Sequence, residues 1–267
     1  MLTRSRRSCL TVPASSPHML EKAAGLPADE VVVDLEDGVA PGAKEEARRR
    51  LRDARARGTL AIRVNGLASP WWRDDFEAIA AVRPDVVVLP KVESAEDVLA
   101  AAELLPEGVG LEVQIETARG LVEVERIAAA GGPLEALVFG PGDFAASLGV
   151  PVLTIGAGSW DYALARIAVA ARAFGLQVVD GPFADLRDLD GLRESARLAL
   201  AHGCDGKWVV HPSQIDPVND VFTPSSEELE RARGILAAGD GAVLVDGAMV
   251  DPASKRLAAA VLARAND

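Results

Sequence analysis

Cysteine, long apolar stretches and positive charge are all scarce in this sequence, and each scarcity excludes a class of protein. Only Cys9 and Cys204 are present, which favours two buried thiols in a reducing cytosol over a disulfide scaffold or a cysteine metal centre. No apolar stretch approaches the roughly 20 residues of a membrane-spanning helix. The 28 Lys and Arg against 40 Asp and Glu give a net charge of −12, which argues against nucleic acid and anionic membranes as partners. We therefore expect a cytoplasmic protein without such partners.

The sequence contains instead eight short apolar runs, most of which end on a charged residue. They begin at Cys9, Val31, Ala61, Val86, Leu111, Leu137, Val178 and Val209. Continuous apolar runs are typical of buried parallel strands, and functional groups in parallel α/β folds follow the carboxyl ends of the strands. The runs therefore predict both a fold and the rim of an active site.

Helical segments with start and stop signals separate these runs. They are predicted at 43–57, 71–82, 95–105, 118–130, 159–174, 189–201 and 227–238. Strands that alternate with helices predict βαβ units, and eight strands favour a closed (β/α)8 barrel, the TIM barrel, over an open doubly wound sheet. We assign 1–239 to a catalytic barrel and 240–267, with a short helix at 253–265, to a small C-terminal appendage.

Two acidic residues follow consecutive predicted strands. Glu116 comes after the fifth run and Asp143 after the sixth. Because neighbouring strands lie about 4.8 Å apart, these carboxylates could share one cation, and hard oxygen ligands select Mg²⁺ or Mn²⁺ over Zn²⁺. The alternative is that both acids only stabilise the first turns of helices.

Arg63 ends the third run in an apolar setting and therefore needs an anionic partner. It either clamps a carboxylate or an enolate oxygen of a substrate, or it forms a structural pair with Glu36 or Asp37. The segment Asp34-Leu-Glu-Asp37 carries three acids in four positions. Some of them could orient metal-bound water or Arg63, and at least one is expected to be structural.

Two further features lie after the fourth and sixth runs. Lys91 is either a Schiff-base lysine or, as the many acids favour, a fixed charge paired with Glu116 or Glu36. The segment Gly140-Pro141-Gly142 either lets the backbone approach a ligand closely or simply shapes a loop.

Seven short motifs together make a family resemblance. They are Val31-Val-Val-Asp-Leu-Glu-Asp-Gly-Val39, Ile62-Arg-Val-Asn65, Leu89-Pro-Lys-Val-Glu-Ser94, Ile115-Glu-Thr-Ala-Arg-Gly120, Phe139-Gly-Pro-Gly-Asp143, Val210-His-Pro-Ser-Gln-Ile215 and Gly247-Ala-Met-Val-Asp251. In this order the chain resembles the citrate lyase β-subunit-like family, which belongs to the aldolase/citrate lyase superfamily together with malyl-CoA and citramalyl-CoA lyases.

The resemblance implies an Mg²⁺-dependent carbon–carbon lyase that converts a 3-hydroxyacyl-CoA thioester to an acyl-CoA and a 2-oxo acid, or the reverse. It also implies a homotrimer or a dimer of trimers, in which segment 240–267 of one subunit covers the site of its neighbour. The implied metal ligands are Glu116 and Asp143. The predicted catalytic residues are Arg63, Asp251, Glu36 and Asp37. The predicted substrate-binding residues are Arg63, Lys91, Gly140, Pro141, Gly142 and Asp143.

Other functions remain open at this point. The chain could be a citrate lyase β subunit that acts on a citryl thioester of an acyl carrier protein, an aldolase for free 2-oxo acids, or a non-catalytic scaffold subunit. His18 stands where many members of the resembled family carry arginine, which weakens one expected contact to the CoA phosphates.

Overall fold

The structure, a computed structural model, describes residues 4–151, 153–156, 158–239, 241–245 and 247–265. Within these residues, eight parallel strands close into a barrel in chain order, with β8 pairing back onto β1. They are β1 (Ser8–Pro13), β2 (Glu30–Asp34), β3 (Thr59–Arg63), β4 (Val86–Leu89), β5 (Gly110–Ile115), β6 (Leu134–Phe139), β7 (Gln177–Asp180) and β8 (Gly206–Val209). The (β/α)8 prediction is confirmed, and the open sheet is excluded.

The barrel strands form because their apolar runs are buried on both faces. Every residue of β2, β4, β5 and β8 is buried, as expected for parallel strands covered by helices outside and by side chains inside. One apolar cluster joins side chains from seven of the strands. It comprises Cys9, Val32, Ala61, Val86, Val88, Val138, Val179 and Trp208.

Helices follow the strands, and several begin at capping residues. Ser94 forms a capping box with Asp97, and the Thr117 hydroxyl caps the following helix. The helices up to the end of the barrel are α1 (Pro17–Ala23), α2 (Lys44–Arg50), α3 (Trp72–Val82), α4 (Ala95–Ala102), α5 (Ala118–Val122), α6 (Val124–Ala128), α7 (Pro141–Leu148), α8 (Asp161–Ala173), α9 (Leu189–Ala201) and α10 (Ile215–Phe222). The helix predicted at 118–130 is divided at Glu123, and the one predicted at 43–57 ends at Arg50 in a 3₁₀ turn.

A buried charge cluster fills the amino ends of the barrel strands. The Arg6 guanidinium contacts Glu135 at 2.6 Å and Glu30 at 3.4 Å, and it also donates to Glu112 and Gln177. Burial and the Glu112 carboxylate raise the pKa of Glu30 well above its ordinary value. Burial thus disfavours the charged form of Glu30, which limits the negative charge inside the barrel.

The chain divides into two compact units at residues 219 and 220. The second unit contains α11 (Ser226–Ala237), an antiparallel pair β9 (Val243–Val245) and β10 (Ala248–Val250), and α12 (Pro252–Arg264). Because α11 packs against α12, α11 groups with the C-terminal unit, whereas the sequence placed it in the barrel. The predicted covering role of this unit stays a prediction.

Both thiols, Cys9 and Cys204, are free and buried, as predicted. Among the described residues, no helix combines the length and the apolar character that crossing a membrane requires.

Candidate active site

An arginine–aspartate pair lies at the carboxyl ends of β2 and β3. Arg63 donates from Nε to Asp34 Oδ1 at 2.7 Å and from Nη2 to Asp34 Oδ2 at 2.8 Å. The N–H groups of Glu36 and Gly38 also donate to this carboxylate, each at 2.8 Å. Burial alone would raise the pKa of Asp34, but Arg63 and the two N–H groups hold it below its ordinary value. Asp34 is thus the structural acid of the segment, and it fixes the guanidinium.

Glu36 places a second carboxylate between two cations. Its Oε2 lies 3.1 Å from Arg63 Nη1, and its Oε1 accepts from Lys91 Nζ. Asp37 is exposed and reaches Lys91 Nζ at 3.4 Å. The Arg63–Glu36 contact is one of the alternatives that the sequence left open, while Asp37 contacts the lysine instead.

Lys91 contacts both the acidic segment at 36–37 and the carboxylates of Glu116 and Asp143. Its φ of +55° lies in the left-handed region, which is uncommon outside glycine and clusters at functional sites. In this conformation its N–H donates to Glu116 Oε1 at 2.8 Å, and its Nζ lies 3.4 Å from Asp143 Oδ2. Burial alone would lower the pKa of Lys91, but the ion pair with Glu36 raises it above its ordinary value. The fixed-charge interpretation is therefore favoured over a Schiff-base lysine.

Glu116 and Asp143 both contact Lys91, and the charge of Asp143 acts on Glu116. Glu116 directly follows β5 and is 3% exposed, whereas the Asp143 side chain is 40% exposed. Burial, together with the negative charges of Glu36 and Asp143, raises the pKa of Glu116 to about 8. Carboxylates that repel one another in this way would be stabilised by a cation between them.

The Glu116 carboxylate is held close to the backbone and keeps one oxygen available for such a cation. A Cβ on Gly140 would lie 2.3 Å from Glu116 Oε2, so only glycine at this position lets Glu116 reach its place. Glu116 Oε2 accepts no hydrogen bond within the described part of the chain. No group of three or more His, Cys, Asp or Glu side chains suited to a metal occurs among those residues. The donor set fits a hard divalent cation held by two carboxylates, with other positions left for water or substrate oxygens.

Comparison with known proteins identifies the family. The model of the HpcH/HpaI aldolase/citrate lyase family matches residues 7–212. The chain belongs to this family. An L-malyl-CoA/beta-methylmalyl-CoA lyase of Cereibacter sphaeroides is 38% identical over 98% of this chain and 95% of the relative. A (3S)-malyl-CoA thioesterase of the same species is 40% identical over 92% of this chain and 89% of the relative.

Solved structures of HpcH/HpaI relatives share the fold. CitE from Mycobacterium tuberculosis, in complex with magnesium, acetoacetate and coenzyme A, matches with a TM-score of 0.86 at 36% identity, covering 99% of this chain and 100% of that one. The citrate lyase beta subunit of the same organism, complexed with oxaloacetate and magnesium, matches with a TM-score of 0.74 at 35% identity, covering 82% and 98%. The resemblance read from the motifs is confirmed at the level of the family.

Two further sequence expectations concern Gly140-Pro141-Gly142 and Asp251. Gly140-Pro141-Gly142 is not a loop, because Gly140 caps α7 and Pro141 opens its first turn, where a missing N–H costs nothing. Asp251 lies in the C-terminal unit, where it caps α12 by accepting from the Ser254 N–H at 2.8 Å. Its catalytic role stays a prediction.

The sequence analysis missed Lys44 and its partners in this HpcH/HpaI site. Lys44 begins α2, yet its Nζ is buried against the backbone of Leu35 and Glu36 and against Asn65. A signal was available, because a cation in the first turn of a helix opposes the helix dipole. Lys44 and Lys91 also line a cavity of about 310 Å³, together with Glu36 and Trp71.

Proposed function

We propose that this protein is an Mg²⁺-dependent carbon–carbon lyase. Its substrate would be a 3-hydroxyacyl-CoA thioester of the malyl-, citramalyl- or citryl-CoA type, and its products an acyl-CoA and a 2-oxo acid such as oxaloacetate. The observation that carries the proposal is that Glu116 and Asp143 both contact Lys91, at 2.8 Å and 3.4 Å, near the fixed guanidinium of Arg63. Burial and the charges of Glu36 and Asp143 raise the pKa of Glu116 to about 8. The malyl-CoA lyase and magnesium-bound relatives support it.

Glu116 and Asp143 would hold the metal. When bound there, Mg²⁺ supplies a Lewis acid for the carboxylate and the adjacent hydroxyl or keto oxygen of the substrate. Lys91 supports both ligands, since its N–H donates to Glu116 at 2.8 Å and its ammonium lies 3.4 Å from Asp143. We assign Lys91 and the first turn of α7, from Gly140 to Gly142, to binding of the substrate carboxylate, because N–H groups and the dipole at a helix start favour anions.

Arg63 would stabilise the enolate oxygen of the acyl thioester that forms when the carbon–carbon bond breaks. The forked contact to Asp34 keeps its guanidinium in one place, so little reorganisation is needed at the moment of reaction. Glu36 and Asp37 assist by holding Arg63 and Lys91, because Glu36 contacts both cations and Asp37 contacts the lysine.

Asp251 would act as the acid or base at the enolate carbon. Hydrogen bonds from the Ser254 N–H and hydroxyl lower the pKa of Asp251, so at neutral pH it is a carboxylate, the form that removes a proton in the condensation direction. We propose that segment 240–267 brings this residue to the site of a neighbouring subunit in a homotrimer. Size-exclusion chromatography with light scattering tests the trimer, and a monomer of full activity would refute this part.

The lyase proposal is tested with malyl-, citramalyl- and citryl-CoA, each with Mg²⁺ and with EDTA. We expect equal amounts of acyl-CoA and 2-oxo acid, formed only with Mg²⁺ and abolished by Glu116→Ala. Unchanged activity of Glu116→Ala would refute the site, and absence of both products from every substrate would refute the function.

A thioesterase is the second candidate, because a (3S)-malyl-CoA thioesterase is 40% identical to this chain. Hydrolysis of malyl-CoA gives malate and free CoA, whereas carbon–carbon cleavage gives acetyl-CoA and glyoxylate. A thiol assay for free CoA, run beside a carbonyl assay for glyoxylate, separates the two. Free CoA without glyoxylate would refute the lyase assignment in favour of a thioesterase.

The buried free thiols of Cys9 and Cys204 support a reducing, cytoplasmic location for either enzyme.

A further inference from the structure

A buried ammonium lies directly beneath the acidic segment of the site. Lys44 is 4% exposed, and its Nζ donates to Leu35 O, Glu36 O and Asn65 Oδ1, each at 2.7 Å. An ammonium group has three donors, so every one of them is used on this segment or on its support. Lys44 Nζ also lies 4.9 Å from the centre of the Trp71 ring.

The partners of Lys44 are themselves fixed by a buried chain of polar contacts. Asn65 Nδ2 donates to Leu35 O at 3.0 Å and to Asp75 Oδ2 at 2.6 Å. Asp75 is fully buried, and Arg48 Nη1 contacts its other oxygen at 3.1 Å. Residues from α2, α3 and the end of β3 thus converge on the main chain of Leu35 and Glu36. A network in which each member is satisfied is rigid.

Lys44 stands where a lysine is unfavourable for the helix alone. It is the first residue of α2, and Glu45 and Glu46 are the residues that suit the dipole there. Desolvation adds to the cost of this buried charge. The hydrogen bonds of Lys44 to the Leu35 and Glu36 carbonyl groups offset both costs. Lys44 therefore stabilises the segment at 35–36 and not helix α2.

We propose that Lys44 is a positioning residue of the active site. It fixes the carbonyl groups of Leu35 and Glu36 and thereby holds the Glu36 carboxylate between Arg63 Nη1, at 3.1 Å, and Lys91 Nζ. Its effect on turnover rests on the proposed lyase function, whereas its effect on the segment does not. Lys44 does not reach the metal ligands or the substrate in this scheme, and it acts through Glu36.

The first test follows backbone hydrogen exchange by mass spectrometry in Lys44→Met, with exposed Lys22→Met as the matched control. The N–H groups of Leu35, Glu36, Gly38 and Val39 are all hydrogen-bonded, so they report on the segment. We expect exchange at 35–39 to become at least tenfold faster in Lys44→Met and to stay unchanged in Lys22→Met. Unchanged exchange in Lys44→Met would overturn the proposal.

The second test is a double-mutant cycle with Glu36→Gln. We expect Lys44→Met to lower kcat on the order of 100-fold, the effect of a catalytic group misplaced by about 1 Å. The same change in the Glu36→Gln background should lower kcat only a few-fold. Equal losses in both backgrounds would show that Lys44 does not act through Glu36.

Two further measurements decide the role of Lys44 if a variant does not fold or the wild type has no lyase activity. If Lys44→Met fails to fold, Asn65→Ser serves instead, because it removes one acceptor of the Lys44 ammonium and keeps the lysine charge. Its loss of kcat should also be smaller in the Glu36→Gln background than in the wild type, although the difference should be less than for Lys44→Met. Additive losses there would overturn the proposal. If the wild-type protein cleaves no thioester, the lyase function fails, while hydrogen exchange still decides what Lys44 does.

Discussion

Replacing Gly140 by alanine should displace Glu116 and leave the rest of the barrel in place. A Cβ at this position would lie 2.3 Å from Glu116 Oε2 and 2.5 Å from Glu116 Cβ, whereas non-bonded carbon atoms settle about 3.5–4.0 Å apart. The φ of Gly140 is −107°, which alanine adopts readily. The clash is therefore steric, and Glu116 has to withdraw by about 1 Å to restore ordinary contact.

This displacement sets the size of the expected effect. Overpacking in a buried site costs about 1–3 kcal/mol of stability, which the folded barrel should survive. A shift of about 1 Å in a catalytic group lowers turnover on the order of 100-fold. Because Glu116 is one of two proposed ligands, Mg²⁺ affinity measured by isothermal titration calorimetry should fall at least about tenfold, equivalent to 1.4 kcal/mol.

Gly142→Ala provides the matched control within the same helix. Its Cβ would meet Ile155 Cγ1 at 3.4 Å, an ordinary contact, so the Mg²⁺ affinity should stay at the wild-type value. If Gly140→Ala binds Mg²⁺ as tightly as wild type while remaining folded, then Glu116 is not a ligand in the way the geometry indicates.

Three further changes test separate parts of the structure. The pKa of Glu116 is raised from 4.5 to about 8, so the metal-free protein should lose stability as the pH rises between these values, and the melting temperature of Glu116→Gln should fall less over that range. The pKa of Glu30 is also raised, so Glu30→Gln should raise the free energy of unfolding relative to wild type more at pH 8 than at pH 5 in urea titrations; an equal effect at both pH values would contradict the raised pKa. Asp251→Asn should leave Mg²⁺ and oxo-acid binding intact by calorimetry but stop cleavage of the carbon–carbon bond, and near wild-type turnover would show that the C-terminal unit is not catalytic.

The strands were predictable because their signal is local. Val86–Leu89 is a four-residue apolar run that coincides with β4, and the run Val31–Val33 lies inside β2. Helix α7 was missed because Gly140-Pro141-Gly142 is typical of turns, although glycine before proline also opens helices. Local propensity therefore fixes most elements, while the ends of the helices depend on tertiary contacts.

The site was predictable only in part, because the contacts of its side chains depend on tertiary structure. Arg63 ends β3 and Glu116 directly follows β5, so the fold alone brings them to one rim. The partners of a side chain depend on packing between distant elements, and no spacing in the sequence gives them. Lys44 lies in the helix predicted at 43–57, and its contact with Asn65, 21 positions away, needs the barrel to be built first.

The buried Arg6 cluster bears on how the chain assembles. Its contacts to Glu112, Glu135 and Gln177 span 106, 129 and 171 positions, and contacts of such range slow folding because loop-closure entropy is lost before they form. A partly assembled sheet would leave the guanidinium or the carboxylates without compensation in a nonpolar interior, which is costly. We therefore expect ring closure and charge compensation to occur as one cooperative event. Fragments that encode only half of the strands should consequently remain unfolded when they are expressed separately.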